Sequence, residues 1–348
     1  MGDLLSYSGI TTKVRAMQSH LITENQFREM AGLSTVSDAV DYLSHLKAYQ
    51  GLFSDLEGIG LHRGAIEQRL ILSLYQDFAK LYRFSNLNQR KFLDLYFMHF
   101  EIDILKKCLR NAIGDDQPDI DLSIYEDFFK NHSKLDLMKL TSSRSLSDFV
   151  TNLEGSVYHG LLSGLVDTRE PTLFDYEVHL DLLYFKTIWK VMGKYLKKEE
   201  KELLTRCFGS KLDLLNIQWI YRSKKYYHLQ PTDIYALLIP TNYHLNKEQI
   251  TKMAEAGTME EFFAALKTTF YGRKTNIETF DVPDLERLTM EVLDKIYRST
   301  SQQNPYSIAT LNSYLYFKEE EIQKVITLIE SIRYRLNPDE IISYVVKQ

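Results

Sequence analysis

The sequence has little cysteine, proline or glycine. Its 348 residues include two cysteines, Cys108 and Cys207, together with 7 prolines and 15 glycines. Two thiols cannot form the disulfide framework of a small secreted scaffold, so a reducing compartment is the simpler interpretation. Because proline and glycine interrupt helices, their scarcity favours long continuous helices over a turn-rich sheet.

The chain also lacks an excess of positive charge and a long apolar run. Its formal net charge is -5, whereas nucleic-acid binding through phosphate neutralisation usually accompanies a basic balance. The longest charge-free stretch, residues 299–317, is rich in Ser, Thr, Gln and Asn. A membrane span needs about 20 mostly apolar residues. We therefore expect no transmembrane segment and no nucleic-acid partner.

Motifs that carry chemistry are missing as well. The segment EGIGLHRG, residues 57–64, spaces its glycines G-x-G-x-x-x-G, one residue longer than a dinucleotide fingerprint, and no buried strand precedes it. The sequence contains no GxxxxGK[ST], no HExxH and no paired CxxC, and its nine histidines lack metal-ligand spacing. We expect no cofactor, no metal ion, no small-molecule substrate and no catalytic residue.

What the chain does contain is an internal repeat. An acid is followed by apolar residues at the first, fourth, seventh and eighth positions and by an arginine at the ninth. Three copies begin at Glu101, Asp213 and Glu321, and the third has Glu330 in place of the arginine. About 17 residues after each acid comes a proline that suits the first position of a short helix. These prolines are Pro118, Pro231 and Pro338.

A second element recurs in step with the first. Its copies are STVSDAVDYLSHLKAY, RSLSDFVTNLEGSVY and GTMEEFFAALKTTFY, each with a predicted N-cap (Thr35, Ser145 and Thr258), an acid three residues on and a closing tyrosine. Both elements have a period of roughly 110 residues. The sequence therefore predicts an all-α protein of three similar units, residues 1–131, 132–240 and 241–348. Long helices are predicted over residues 61–84, 87–113, 174–198, 285–299 and 318–334.

The recurring acids raise a question of burial. On a helical wheel each acid lies within the apolar stripe, whereas the arginine lies on the opposite face. A buried carboxylate is costly, so it must lie in the first turn of a helix or meet a partner. Ser210 before Asp213, and the run of Glu319, Glu320 and Glu321, favour helix starts. The other interpretation is that these helix ends line a shared cavity that binds a partner.

Three segments of the chain resemble a known family. They are Tyr7 followed by TTKVRAMQSHL, the middle stretch GSKLDLLNIQWIYRSKKYY, and YLYFKEEEIQKVITLIESIRYRLNPDEI near the end. Over essentially its whole length the chain resembles the C subunit of the V/A-type rotary ATPases, which is called the d subunit in eukaryotes. It departs from the family pattern at Lys13, Lys324 and Ser331.

The resemblance implies a non-catalytic part of an ion-transporting rotary machine. It implies three helical units around a pseudo-threefold axis, shaped as a funnel. The mouth would be a socket for the rotor shaft, made of the D and F subunits, and the base would rest on the membrane proteolipid ring, on the cytoplasmic side. We predict that the socket is lined by charged side chains at the recurring helix ends. These are Arg15, Arg110, Asp213, Arg222, Lys224, Glu319 and Glu320.

Two other functions remain open from the residues alone. A generic α-helical scaffold that binds peptides or helices would show the same repeats. An RNA-binding helical protein could use the basic and aromatic residues 222–228, and salt-dependent retention on nucleic acid would favour it. The sequence does not distinguish proton from sodium coupling, or ATP synthesis from hydrolysis.

Overall fold

The structure is a computed structural model that describes residues 2–56, 61–113, 121–166, 172–196, 198–240, 243–274 and 282–346. Within these ranges all regular structure is helical, which confirms the predicted all-α class. The α-helices are α1 (Gly2–Gln18), α2 (Glu24–Ala31), α3 (Val36–His45), α4 (Arg63–Phe84), α5 (Leu87–Ile113), α6 (Glu126–His132), α7 (Leu137–Thr141), α8 (Leu146–Thr151), α9 (His159–Val166), α10 (Leu173–Tyr195), α11 (Lys198–Lys225), α12 (Pro231–Leu237), α13 (Lys247–Glu255), α14 (Met259–Lys267), α15 (Val282–Gln303), α16 (Ile308–Arg333) and α17 (Pro338–Val345).

The order of helices along the chain repeats. Short helices precede two consecutive long helices, and a further short helix follows the pair. The long pairs are α4 with α5, α10 with α11, and α15 with α16. This order agrees with the repeat in the sequence, whereas the predicted unit boundaries and pseudo-threefold funnel stay predictions.

The chain divides into two compact units. Unit 1 comprises Met1–His159 and Thr310–Gln348, and unit 2 comprises Gly160–Ala309. In unit 1, α2 packs against α17, so the first and last segments of the chain belong to one body. In unit 2, α11 packs along α15, and α13 packs against α14.

The local signals at helix starts are confirmed where the structure describes them. Thr35, Ser145 and Thr258 each accept a hydrogen bond from the backbone N–H three residues later, at 3.1, 3.1 and 3.2 Å respectively. Pro231 and Pro338 are the first residues of α12 and α17. Pro118, like Gly58 and Gly60 of the segment at residues 57–64, lies outside the described residues.

Two of the long helices begin earlier than the sequence predicts. Helix α11 begins at Lys198, so Ser210 lies inside the helix and the prediction that it is an N-cap is wrong. Helix α16 begins at Ile308 and not at residue 318. Its first turns are buried throughout, the polar Thr310, Asn312 and Ser313 as well as Leu311 and Leu315, and burial outweighs the weak helix propensity of the polar residues. The recurring acids are therefore mid-helix, and their assignment to helix starts is wrong.

The other long helices lie within a few residues of their predicted positions, and α5 has the predicted bounds, Leu87–Ile113. In the part of the chain that the structure describes, no helix combines the length and the apolar character needed to cross a bilayer.

Candidate functional site

Each recurring acid accepts a hydrogen bond from a tyrosine hydroxyl. The three tyrosines are the closing residues of the three N-capped elements. The pairs are Tyr158 with Glu101 at 2.7 Å, Tyr271 with Asp213 at 2.8 Å, and Tyr49 with Glu321 at 2.6 Å. The mid-helix carboxylate, which is buried at Asp213 and Glu321 and half-buried at Glu101, is thus provided with a donor in every copy, as its desolvation requires.

The three acid–tyrosine hydrogen bonds connect successive copies of the repeat in the same order. Glu101 and Asp213 each bond the tyrosine of the N-capped element that comes next in the chain. Glu321, in the last copy, bonds Tyr49 of the first element, and both residues belong to unit 1. The repeated contact therefore crosses the boundaries predicted after residues 131 and 240.

Asp213 has the largest set of donors. Its carboxylate accepts the backbone N–H groups of Tyr243, His244 and Leu245 at 3.1, 2.6 and 3.1 Å, besides the hydroxyl of Tyr271. Burial raises the pKa of Asp213, and these donors oppose the shift. The carboxylate fastens residues 243–245 to the middle of α11.

Two neighbours of Asp213 complete this attachment. Gly209, one turn earlier, faces Tyr243 so closely that a Cβ at this position would lie 2.6 Å from the Tyr243 ring. Asn216, one turn later, donates to the carbonyl of Ile239 at 3.1 Å and accepts its N–H at 2.9 Å. The segment GSKLDLLN therefore attaches Ile239 and residues 243–245 to α11. Gly209 leaves space for the Tyr243 ring, and Asp213 and Asn216 form the hydrogen bonds.

Glu321 is the one of the three acids for which a salt bridge to a buried lysine is observed among the described residues. Lys318, one turn earlier on α16, donates its Nζ to Glu321 Oε1 at 2.8 Å and to the Tyr49 hydroxyl at 3.0 Å. Both charged side chains are buried. Glu321 also accepts the backbone N–H of Ile22. This cluster, Lys318–Glu321–Tyr49, ties the first 50 residues to the last long helix, and no sequence motif indicates that the two segments meet.

Glu101 is held more weakly. Its two carboxylate oxygens accept the hydroxyl groups of Ser133 and Tyr158. Burial raises the pKa of Glu101, and these two hydrogen bonds lower it by a smaller amount. The folded protein consequently retains a proton on Glu101 at pH values where the unfolded chain has released it.

This proton sets an expected pH dependence. The pKa of a glutamate in an unfolded chain is about 4.3. Because the folded pKa is raised, the stabilisation linked to the protonated form is complete below that pH and is lost as pH rises through the folded pKa. We expect the free energy of unfolding of wild type, measured in urea between pH 4 and 7, to fall with pH relative to Glu101→Gln. Parallel profiles for the two proteins would contradict this assignment.

The seven predicted site residues are divided between the two units and differ in exposure. Arg15, Arg110 and Arg222 are exposed, and Glu319 and Glu320 are half-buried. Asp213 is buried, and its observed contacts are internal. Lys224 donates to the carbonyl of Ala254 at 2.8 Å, at the C-terminal end of α13, where a cation suits the helix dipole. Burial lowers the pKa of Lys224. A partner-binding role for the seven stays a prediction.

At the arginine position of the repeat, the second and third copies form ion pairs of opposite polarity. In the second copy, Arg222 forms an exposed ion pair with Glu286 of α15 at 2.9 Å. In the third copy the equivalent residue is Glu330, which lies 3.8 Å from Arg63 of α4. Glu330 also pairs with Arg333 on its own helix at 3.1 Å, and Arg63 pairs more closely with Glu67 at 2.6 Å. The acid in the third copy is therefore matched by bases on its own and on a neighbouring long helix.

The basic and aromatic residues at the end of α11 make contacts within the chain. Lys225 donates to the Tyr221 hydroxyl at 2.8 Å, whereas Tyr226 and Tyr227 are exposed. Burial raises the pKa of the Cys108 thiol to about 12, so this cysteine is protonated at neutral pH. Among the described residues no cluster of three or more His, Cys, Asp or Glu side chains is arranged to hold a metal ion.

Comparisons with known proteins agree in one family. The model of the ATP synthase (C/AC39) subunit family matches residues 10–344. The A-type ATP synthase C subunit of Thermococcus kodakarensis is 26% identical over 348 residues, covering 97% of this chain and 90% of the relative. The corresponding C subunit of Pyrococcus abyssi is 23% identical over 342 residues, covering 96% and 89%. That of Methanocaldococcus jannaschii is 20% identical over 357 residues, covering 99% and 87%.

Proposed function

The chain belongs to the ATP synthase (C/AC39) subunit family, and from this premise we propose that it is the central-stalk component that couples rotor shaft to membrane ring. The match over residues 10–344 is the observation that carries the proposal. As a subunit of a rotary ATPase, the chain has partners within a complex, and it is not itself the catalytic component. The proposed partners are the D and F subunits of the shaft and the membrane proteolipid ring, on the cytoplasmic side.

The internal contacts support a mechanical role. A coupling subunit must transmit torque without yielding, and close-packed helical interiors transmit strain. In each copy of the repeat a long helix is joined to the turn after a short helix by a hydrogen bond between a largely desolvated carboxylate and a tyrosine. In this proposal stiffness comes from these fastenings, and shaft contact comes from exposed charges such as Arg222, Arg15 and Arg110.

Co-purification is the direct test of the proposed function. Tagged D and F subunits, and separately the tagged proteolipid ring in detergent, should each retain the full-length chain. Retention by neither would refute the coupling role. Retention of unrelated helical peptides with similar strength would favour the generic scaffold instead.

Charge reversal at Arg222 tests the shaft surface. Charge reversal at Arg222 together with Lys224 is expected to weaken shaft binding more than it lowers the melting temperature. Because Lys224 donates to the carbonyl of Ala254, its reversal would also disturb the fold. Arg222→Glu alone is therefore the more specific test of shaft binding. We expect a loss of about tenfold in affinity for the D and F subunits, or ~1.4 kcal/mol. The exposed pair with Glu286 contributes at most about 1 kcal/mol to stability, so the melting temperature should fall by only a few degrees.

The charge swap found between repeats provides the control. In Arg222→Glu/Glu286→Arg the ion pair is rebuilt with the polarity that Glu330 and Arg63 have in the third copy. This double variant should regain the melting temperature but not the affinity for the shaft. Full recovery of both would mean that Arg222 acts only through its pair with Glu286, and that the shaft does not contact it.

A further inference from the structure

Four large apolar side chains are exposed together at one end of unit 1. Leu87 begins α5 and is 78% exposed, and Phe84, at the end of α4, is 59% exposed. Leu4 and Leu5, near the start of α1, are 54% and 77% exposed. We call these four residues the Leu87 patch.

Hydrogen bonds hold the two halves of the Leu87 patch beside each other. In the turn between α4 and α5, Asn86 donates its Nδ2 to Ser6 Oγ, and Gln89 donates its Nε2 to the Ser6 carbonyl, both at 3.1 Å. Asn86 Oδ1 in turn accepts the N–H groups of Asn88 and Gln89 at 3.0 Å, which caps α5. Side chains within the turn therefore fix its conformation, and in this conformation Phe84 and Leu87 are exposed.

Positive charge predominates around the patch. Residues 3–24 and 82–94 contain five lysines and arginines against three acids (Asp3, Glu24 and Asp94), so these segments are net basic although the whole chain has a net charge of -5. Lys13 places its Nζ 5.1 Å from the centroid of the Phe84 ring. Arg83 and Lys91 are exposed on either side of the turn. Exposed apolar side chains and positively charged side chains therefore lie close together at this end of unit 1.

We propose that the Leu87 patch docks onto an anionic lipid surface, with its apolar side chains among the upper acyl groups and its cations against lipid phosphates. The core of a protein interface is depleted in charge, and lysine is rare there. Membrane-surface segments instead combine leucine and phenylalanine with lysine and arginine, and anionic headgroups attract those cations. Leucines exposed by more than three quarters at a helix tip protrude, and a fluid bilayer accommodates protrusions without a matching pocket. This contact goes beyond the coupling role proposed above.

Vesicle flotation with the full-length chain tests this contact without other subunits. The probes are vesicles of phosphatidylcholine alone and of phosphatidylcholine with an equal amount of phosphatidylglycerol. We expect binding to the anionic vesicles at least about tenfold above binding to the neutral ones at about 0.1 M salt, and loss of this difference at about 0.5 M salt, where screening is stronger.

Three variants locate the contact. Leu5→Ser/Leu87→Ser removes the most exposed apolar groups and should lower binding to anionic vesicles at least tenfold. Lys13→Glu/Arg83→Glu should abolish the preference for anionic vesicles. Val157→Ser is the matched control, because Val157 is 69% exposed in the same unit and lies beside Tyr158, whose partner Glu101 is about four helical turns from Leu87 along α5. It should bind like wild type.

Three results would overturn the proposal. The first is wild-type binding without preference for anionic vesicles. The second is unchanged binding by both double variants. The third is that Leu5→Ser/Leu87→Ser binds vesicles normally but no longer co-purifies with the detergent-solubilised ring, which would assign the patch to a protein contact. Retention on tagged D and F subunits tests the coupling role separately, so failure of one proposal is distinguishable from failure of the other.

Discussion

Replacing Lys318 with methionine is expected to lower the free energy of unfolding by about 3–5 kcal/mol, because it leaves the carboxylate of Glu321 buried without its counter-ion. The Lys318 ammonium donates to Glu321 and to Tyr49, and it lies 4.2 Å from the centroid of the Tyr49 ring. All three side chains are buried. The measurement is urea unfolding of the purified full-length chain.

A second variant distinguishes loss of the ion pair from loss of packing. Lys318→Met/Glu321→Gln removes both charges and keeps one oxygen, which can accept either the Tyr49 hydroxyl or the Ile22 N–H, because these two groups donate to different oxygens of Glu321. We expect the double variant to recover part of the stability lost by Lys318→Met, because no charge is left in the interior but one donor loses its acceptor. A double variant as unstable as the sum of the single changes would show that the charges act independently.

Hydrogen exchange shows where this loss of stability acts. The backbone N–H of Ile22 donates to Glu321, so its protection reports the attachment of the N-terminal segment to α16. In Lys318→Met we expect Ile22 to exchange faster, while amides of α11 in unit 2 keep their wild-type rates. Equal acceleration in both places would point to a general loss of stability instead of local opening.

Replacing Asp213 with alanine is expected to cost about 3–5 kcal/mol. The change leaves three backbone N–H groups, at residues 243–245, without their acceptor, and each buried unsatisfied group costs about 1–3 kcal/mol, partly offset where water enters. Asp213→Asn keeps one acceptor oxygen but turns an amide N–H₂ toward donors, so it should cost less than alanine. Urea unfolding of the two variants measures this order.

The tyrosine partner supplies the matched control for Asp213. Tyr271→Phe removes one donor and leaves the three backbone N–H bonds in place, so it should cost about 1.5–3 kcal/mol, the contribution of one hydrogen bond to a charged group. In Asp213→Ala the same tyrosine change should cost much less, because its acceptor is already absent. Additive losses would mean that the hydroxyl and the carboxylate do not act together.

Features of the fold that depend on neighbouring residues in the chain were predictable from the sequence, whereas features that depend on distant residues were not. The N-caps at Thr35, Ser145 and Thr258 and the helix starts at Pro231 and Pro338 were predictable, because each depends on residues within one helical turn. The true starts of α11 and α16 were not. The first turns of α11 are rich in Lys, Glu and Leu, which favour a helix, but the sequence signal of Ser210 before Asp213 was interpreted as a later start. The first turns of α16 contain Thr, Asn and Ser, and packing against distant parts of the chain stabilises them as helix.

The partners of the recurring acids illustrate the same limit. Periodicity showed that each acid lies in an apolar stripe and must be compensated, but it could not name the partner. Tyr158 and Tyr271 lie 57 and 58 residues from their acids, and Tyr49 lies 272 residues from Glu321. The same holds for Lys318, whose burial beside Glu321 and Tyr49 no motif in the sequence indicates.

By itself the sequence determined the helical class, the triple repeat and the family, because each can be inferred from the spacing of residues and from motifs along the chain. Only the tertiary structure decided which acids are buried and which donors satisfy them. It also decided where Leu4, Leu5, Phe84 and Leu87 come together. The physical reason is that the cost of burying a carboxylate or exposing a leucine depends on neighbours in space, and these are supplied by residues far away along the chain.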